Sequence, residues 1–332
     1  MTLTAVPRTP TAGLDAPPRL RRVAGGGAVA GLSVAVCLPW LANAYLVSIA
    51  STALILAVLA VSAQLLSGVA GLPSMGQAAY AGIGAYTAAI LARTVTPAGP
   101  VHLLAAAATG ALVAGAVGVF AVRTRAITYL MVTIAVGQLV HVAAVQAVTV
   151  TGGSDGLRTP PTQAWPGGPA LRLDGHTYLY VLACVLLLAV AVGWLRRTRF
   201  VLVLRAVAEH EPRARACGHH SGRHLWAAHT IAGGIAGIAG ALAVTAHRSV
   251  TPTDLSLDVS ALAVVAAAIG VRSMPGAALA AIVLVAVRDL TGGILVGYSL
   301  TALGVVYLTV AYLPRHRATD LYQRITQRWR TR

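Results

Sequence analysis

Lysine is missing from this 332-residue chain; all 25 of its basic residues are arginine. That absence excludes a P-loop lysine, so the chain is not itself a Walker-type ATPase. It also excludes Schiff-base lysine chemistry. Acidic residues are scarce, nine in all, and only 10% of residues carry a charge, against about 25% in an ordinary soluble domain. A soluble globule of this size needs far more polar surface. Cysteine is scarce too: Cys37, Cys184 and Cys217 stand far apart and form no C-x-x-C pair, which argues against a disulfide framework.

Apolar residues dominate instead, at 57% of the chain, with a mean hydropathy of +0.76. Such a composition excludes disorder for the bulk of the chain, because disorder requires low hydrophobicity. The remaining class is an all-α, polytopic integral membrane protein. A bilayer core of about 30 Å takes roughly 20 apolar residues per helix. Apolar runs lie at 23–40, 46–67, 76–92, 101–122, 126–149, 177–195, 225–246, 257–271, 275–288 and 293–313. They predict about ten transmembrane helices, short or re-entrant segments included. The expected organisation is one membrane domain over 23–313, with a cytoplasmic loop at 196–224 and basic tails at 1–22 and 314–332.

The first run follows Arg19, Arg21 and Arg22 and precedes Ala42-Asn43-Ala44, a pattern shared by a first span and a cleaved signal. The first-span reading is adopted, since the downstream chain needs no separate signal. The two short runs around Met274-Pro275-Gly276 fit two short spans or a hairpin re-entering from the outside. A single long span would bury Arg272 at a cost of about 2.5–3.5 kcal/mol.

The formal charge of +16 would suggest nucleic acid in a soluble protein. Its distribution along the chain says otherwise. With the N-terminus inside, only Arg93, Arg158, Arg172, Arg248 and Arg288 fall outside, and the other 20 arginines fall on cytoplasmic segments. Arginine-rich loops stay in the cytoplasm, so both termini are expected there and no nucleic-acid partner is implied.

None of the acidic residues lies deep in a predicted span. Ion-coupled pumps place carboxylates there, so the inventory weighs against an ion-coupled secondary transporter. His141 and His229 fall within or at the ends of spans, where hydrogen bonds to neighbouring helices are favoured over a proton relay. His220 and His224 have i,i+4 spacing near Cys217, but no third ligand is fixed, so no metal is assigned. No nucleophile motif has a plausible setting, and no cofactor or catalytic residue is expected. The run Gly233-Gly234-Ile-Ala-Gly237-Ile-Ala-Gly240 has the small-xxx-small spacing of close helix packing.

Three segments carry more than composition. The first runs from Gly71 to Thr87, Gly-Leu-Pro-Ser-Met-Gly-Gln-Ala-Ala-Tyr-Ala-Gly-Ile-Gly-Ala-Tyr-Thr; the second from Tyr129 to Val140, followed by Thr151-Gly-Gly-Ser-Asp-Gly-Leu157; the third from Arg205 to Gly218. In this order, over about residues 45–313, they resemble the membrane permease subunits of branched-chain amino acid ABC importers, and the M-type permease most closely. The resemblance implies a bacterial inner-membrane, multi-pass subunit working with a second permease subunit, ABC ATPase subunits and an extracytoplasmic solute-binding protein, for a small-molecule solute. Related permeases for urea or short amides share these motifs.

Elementary chemistry suits the same segments. Pro73 removes a backbone donor and Gly71 loosens the helix. A helix restarting near Ser74 presents free N–H groups and a positive dipole end, which fits either an anionic solute group or a re-entrant turn capped by Ser74. The translocation-pathway candidates are Gly71, Pro73, Ser74, Gly76, Gln77, Tyr80, Gly82, Gly84, Tyr86, Thr133 and Gln138. Thr151, Gly152, Gly153, Ser154 and Asp155 form an outer loop in which Ser154 or Asp155 can cap a turn. It lies where the resemblance puts the binding protein. Glu209, Glu211, Arg213, Arg215, Ala216 and Gly218 match the family's ATPase-coupling segment. Pro212 interrupts that segment, which predicts a helix beginning near Glu211.

Overall fold

The computed structural model describes residues 33–294 apart from positions 41, 125, 172, 271 and 272, together with residue 304. Both basic tails, Arg272 and most of the expected spans at 23–40 and 293–313 lie outside the described residues. A helical stretch over 33–40 (α1) leads into α2 (Ala44–Gln64), α3 (Gln77–Thr94), α4 (Gly99–Ala121), α5 (Ala126–Gln146), α6 (Val148–Thr151) and α7 (Asp174–Leu195). Then come α8 (Arg199–Glu209), α9 (Glu211–Ala216), α10 (Ser221–His247), α11 (Leu257–Ile269) and α12 (Met274–Ile294). Two short strands, β1 (Leu157–Arg158) and β2 (Ser249–Val250), pair antiparallel, with Leu157 opposite Val250.

In lipid every backbone N–H and C=O must be paired within the protein, and a helix does this inside one segment. Five described stretches are long and apolar enough to cross a membrane: Ala44–Val69, Gly99–Ala121, Ile127–Gln146, Asp174–Leu195 and Ser221–His247. The chain is therefore an all-α, polytopic membrane protein. The pair after β2 is unequal. Helix α11 has 13 residues, about 20 Å, whereas α12 has 21 and continues past the apolar run to Ile294. Polarity does not end α12, because Asp289 accepts a 2.8 Å hydrogen bond from the Tyr45 hydroxyl of α2.

Helix α10 is the centre of the bundle, packed between α3 and α4. Its glycines make this possible. A Cβ on Gly237 would run into the Ala106 carbonyl of α4, and one on Gly240 into the Ala81 carbonyl of α3. From the facing side, a Cβ on Gly84 would meet the backbone of Gly237. Helix α2 packs on α7, α11 and α12 as well as on α10.

The connections collect at two ends. At one, Gln163 N donates to Pro97 O (2.7 Å), Thr159 N to Arg248 O (2.9 Å), and β1 pairs with β2. At the other, Gly71 abuts Ala208 of α8, and Arg123, Arg215 and Arg223 line one groove. The eight arginines at 123, 196, 197, 199, 205, 213, 215 and 223 all belong to this second end.

Candidate functional site: two helix starts inside the bundle

Helix α2 closes with a π-helical turn at Leu65–Val69, and the chain then runs without regular structure until α3 begins at Gln77. Gly71 takes φ +72°, a left-handed conformation that a side chain would strain. The Ser62 hydroxyl is shared between Gln77 Oε1 (2.6 Å) and the Ala232 carbonyl (2.8 Å). Ala232 is the twelfth of the 27 residues of α10, so α3 starts about 17 Å from one end of α10 and about 23 Å from the other. It begins in the interior.

A second start lies close by. A 3-10 turn at Pro252–Leu255 precedes α11 and carries a capping box, in which the Thr251 N–H donates to Asp254 Oδ2 at 2.9 Å. Leu255 fills the space above Gly82, where a Cβ would collide with it. Ser260, in the first turn of α11, accepts the Ala78 N–H of α3 at 2.9 Å. The two helices thus begin against each other inside the protein.

Three of the N–H groups around the start of α3 already have hydroxyl partners. Besides Ala78, the Met75 N–H donates to Thr133 Oγ1 (3.2 Å) and the Gly76 N–H to Ser74 Oγ (3.4 Å). Ser74 also hydrogen-bonds Tyr129. In this conformation hydroxyls cover part of the dipole end. A side-chain donor here is also unpaired: the Gln77 Nε2 amide is buried and makes no hydrogen bond.

Beneath this start sits a polar node. His229 of α10 is fully buried; its Nε2 lies 2.9 Å from the Tyr80 hydroxyl of α3 and its Nδ1 2.6 Å from the Tyr129 hydroxyl of α5. A neutral imidazole has one donor and one acceptor, so one tyrosine donates to the ring and the other receives its proton. Three helices are joined through one side chain. His141 bonds outward from α5, with Nδ1 at 2.9 Å from the Pro252 carbonyl. Both histidines serve as links between elements, as favoured from sequence.

The structure gathers Ser74, Gly76, Gln77, Tyr80 and Thr133 around the helix starts. Gly71 and Pro73 lie on the approach. Gly82 and Gly84 serve close packing. Tyr86, further along α3, is buried with an unpaired hydroxyl. Gln138 is exposed on α5 and is not brought to the others. Sequence reasoning missed Ser62, Ser260 and Tyr129 as neighbours; hydroxyls in otherwise apolar runs were the available signal.

In the outer loop, the turn is tied by Thr151, not by Ser154 or Asp155. The Thr151 hydroxyl bonds the Ala144 carbonyl (2.6 Å) and the Ala147 carbonyl (2.8 Å) and accepts the Gly153 N–H (3.3 Å), while Ser154 and Asp155 are exposed. Gly152 and Gly156 adopt φ +75° and +69°. A Cβ on Gly156 would strike the Val250 carbonyl, so the loop is pinned against β2.

The segment at 205–218 is two helices. Helix α8 starts early, at Arg199, and buries Val201, Leu204 and Val207. His210 breaks the chain, and α9 begins at Glu211 with Pro212 in its first turn, where no N–H is needed. Glu211 accepts from Arg215 Nη2 (2.8 Å) and from the Ser221 hydroxyl (2.7 Å), which ties α9 to α10. Glu209, Arg213, Arg215, Ala216 and Gly218 are exposed.

Helices that start inside a membrane bundle, lined by hydroxyls and an amide, are a feature found in many membrane transporters. The chain belongs to a known group of these: the model of the family "branched-chain amino acid transport system / permease component" matches residues 45–311. It is 28% identical over 289 residues to the high-affinity branched-chain amino acid transport system permease protein LivM of Escherichia coli (strain K12), covering 79% of this chain and 67% of that protein. No solved structure matches it. A member of this family is a transport component, not an enzyme.

Proposed function

We propose that this chain is the transmembrane permease subunit of an ABC importer for branched-chain or related amino acids. It would span the bacterial inner membrane about ten times, with a permease domain at 23–313 and both tails, 1–22 and 314–332, in the cytoplasm. The arginine-rich end then faces the cytoplasm. A second permease subunit stands beside it, ABC ATPases dock on α8 and α9, and an extracytoplasmic binding protein delivers solute to the 151–155 loop.

The observation that carries this reading is the contact between Gly71 and Ala208. A Cβ on Gly71 would lie 3.1 Å from the Ala208 Cβ, so the chain leading to the α3 start rests directly on the helix an ATPase would push. Moving α8 displaces residues 71–76, and the hydroxyl cap on α3 opens toward solute. ATP-driven closure biases the two states through that one contact. The leftover Gln77 amide and the freed Ala78 and Met75 N–H groups then suit a carboxylate.

Native-membrane purification with partner identification by mass tests the assembly. The expected result is an ATPase and a binding protein in the complex, with ATP hydrolysis stimulated by binding protein loaded with leucine or valine. Hydrolysis indifferent to every loaded binding protein overturns the reading. Stimulation only by urea or a short amide reassigns the solute, and ion-driven uptake by the chain alone makes it a secondary transporter. Because Glu211 is tied to Arg215 and Ser221, the docking test uses the exposed pair: Glu209→Arg with Arg213→Glu should abolish ATPase association.

A further inference from the structure

At the arginine-rich end, a groove of about 570 Å³ opens between the end of α4 and the start of α10. Gly118, Val119 and Val122 of the α4 end and Trp226 of α10 form its floor, and Arg123, Arg215 and Arg223 stand on its rim. Trp226 is fixed there, its indole N–H donating to the Gly115 carbonyl at 2.8 Å. A Cβ on Gly222 would meet nothing within 4 Å, so the mouth is open. Trp226 and Val119 are exposed.

The charges on the rim do not cancel. Arg215 is paired with Glu211. Arg123 and Arg223 have no acidic partner among the described residues. They sit where a helix long and apolar enough to cross a membrane ends, beside the exposed apolar side of α4 that carries Leu112, Val119 and Phe120. Two uncompensated guanidiniums call for a phosphate. An apolar floor reaching the bilayer calls for acyl chain below that phosphate, and an indole at the interface is the usual neighbour of both.

We infer that this groove binds the phosphate headgroup of an anionic phospholipid, held by Arg123 and Arg223, with one acyl chain lying along Val119 and Trp226. The inference needs only a membrane-embedded chain and is independent of the transported solute.

Native mass spectrometry of the full-length chain in mild detergent, titrated with phosphatidylglycerol or phosphatidylcholine, tests it. Phosphatidylglycerol should be retained preferentially. Each arginine removed should weaken that retention about fivefold, so that Arg123→Gln with Arg223→Gln weakens it about 30-fold. The pair Arg196→Gln with Arg197→Gln, outside the groove, should leave it unchanged. Brominated phosphatidylglycerol should quench a fluorescence component that disappears in Trp226→Phe. Equal retention of both lipids, or equal loss in both double variants, overturns the proposal. Protection by inorganic phosphate as strong as by phosphatidylglycerol also overturns it, in favour of a soluble-anion site.

Discussion

Replacing His229 by leucine keeps the volume near that of the imidazole but strands the Tyr80 hydroxyl and takes from the Tyr129 hydroxyl one of its two partners, leaving it Ser74. Tyr80, Tyr129 and His229 are all fully buried, so water cannot take over. A buried hydroxyl left without a partner costs about 1–3 kcal/mol. In membrane bundles the measured value of an interhelical hydrogen bond is lower, averaging about 0.6 kcal/mol, because the unfolded helices also find partners. One stranded hydroxyl and one lost bond at the other give a loss of about 1–3 kcal/mol. At about 2 °C per kcal/mol for a chain of this size, the melting temperature falls by about 2–6 °C. The assay is thermal unfolding of the detergent-solubilised protein followed by fluorescence-detected size exclusion. The decisive comparison is the triple variant Tyr80→Phe, Tyr129→Phe, His229→Leu. It removes donors and acceptors together and should recover at least half of the loss. A fall below about 1 °C for His229→Leu, or a triple variant as unstable as the single, would refute the claim that hydrogen bonding at this node holds the three helices.

Gly240→Leu forces a side chain into the Ala81 carbonyl and should abolish a monodisperse size-exclusion peak, whereas Gly193→Leu, with nothing within 4 Å, should leave the peak intact. Gly71→Ala should cost about 1–2 kcal/mol in thermal stability from its left-handed backbone. Adding Ala208→Gly relieves only the contact, so the double variant should remain destabilised in the same melt. Gln77→Leu removes a buried amide whose Nε2 has no partner, so stability should stay within about 1 kcal/mol of the parent while solute uptake by the reconstituted complex falls.

Much of this architecture could be read from local chemistry. Pro212 forecast a helix start at Glu211, and α9 begins there because a first turn needs no N–H from that position. The glycines from 233 to 240 forecast close helix contact, and they meet backbone on two sides. The break after Gly71 was legible for the same reason, since proline and glycine act within their own turn. The partners of that break were not. Ser260 lies 182 residues from Ala78, and His229 lies 149 from Tyr80 and 100 from Tyr129. No periodicity within one helix encodes such pairings; they follow from how whole helices cross. The break between the two short runs around Met274-Pro275-Gly276 was legible too, since α11 ends at Ile269 and α12 starts at Met274; the interior helix start before Leu257, where a capping box turns the chain, was not. Thr151 outcompeted Ser154 and Asp155 at the outer loop because it sits within reach of the last carbonyls of α5, a matter of spacing by one turn.

The backbone-to-backbone seams of α10 bear on how the protein can change shape. Side chains between helices act as rollers, since rotamer changes let one element slide past another. At Gly84, Gly237 and Gly240 there is nothing to rotate, and carbonyls lie against peptide units. Sliding there would drive main chain into main chain. Helices α3, α4 and α10 should therefore travel as one rigid block, with the compliance confined to the side-chain-filled seams along α2, α11 and α12. Fluorophores on the exposed ends of α4 and α10 should keep a constant separation through a turnover cycle, while one placed on α12 changes its distance to both.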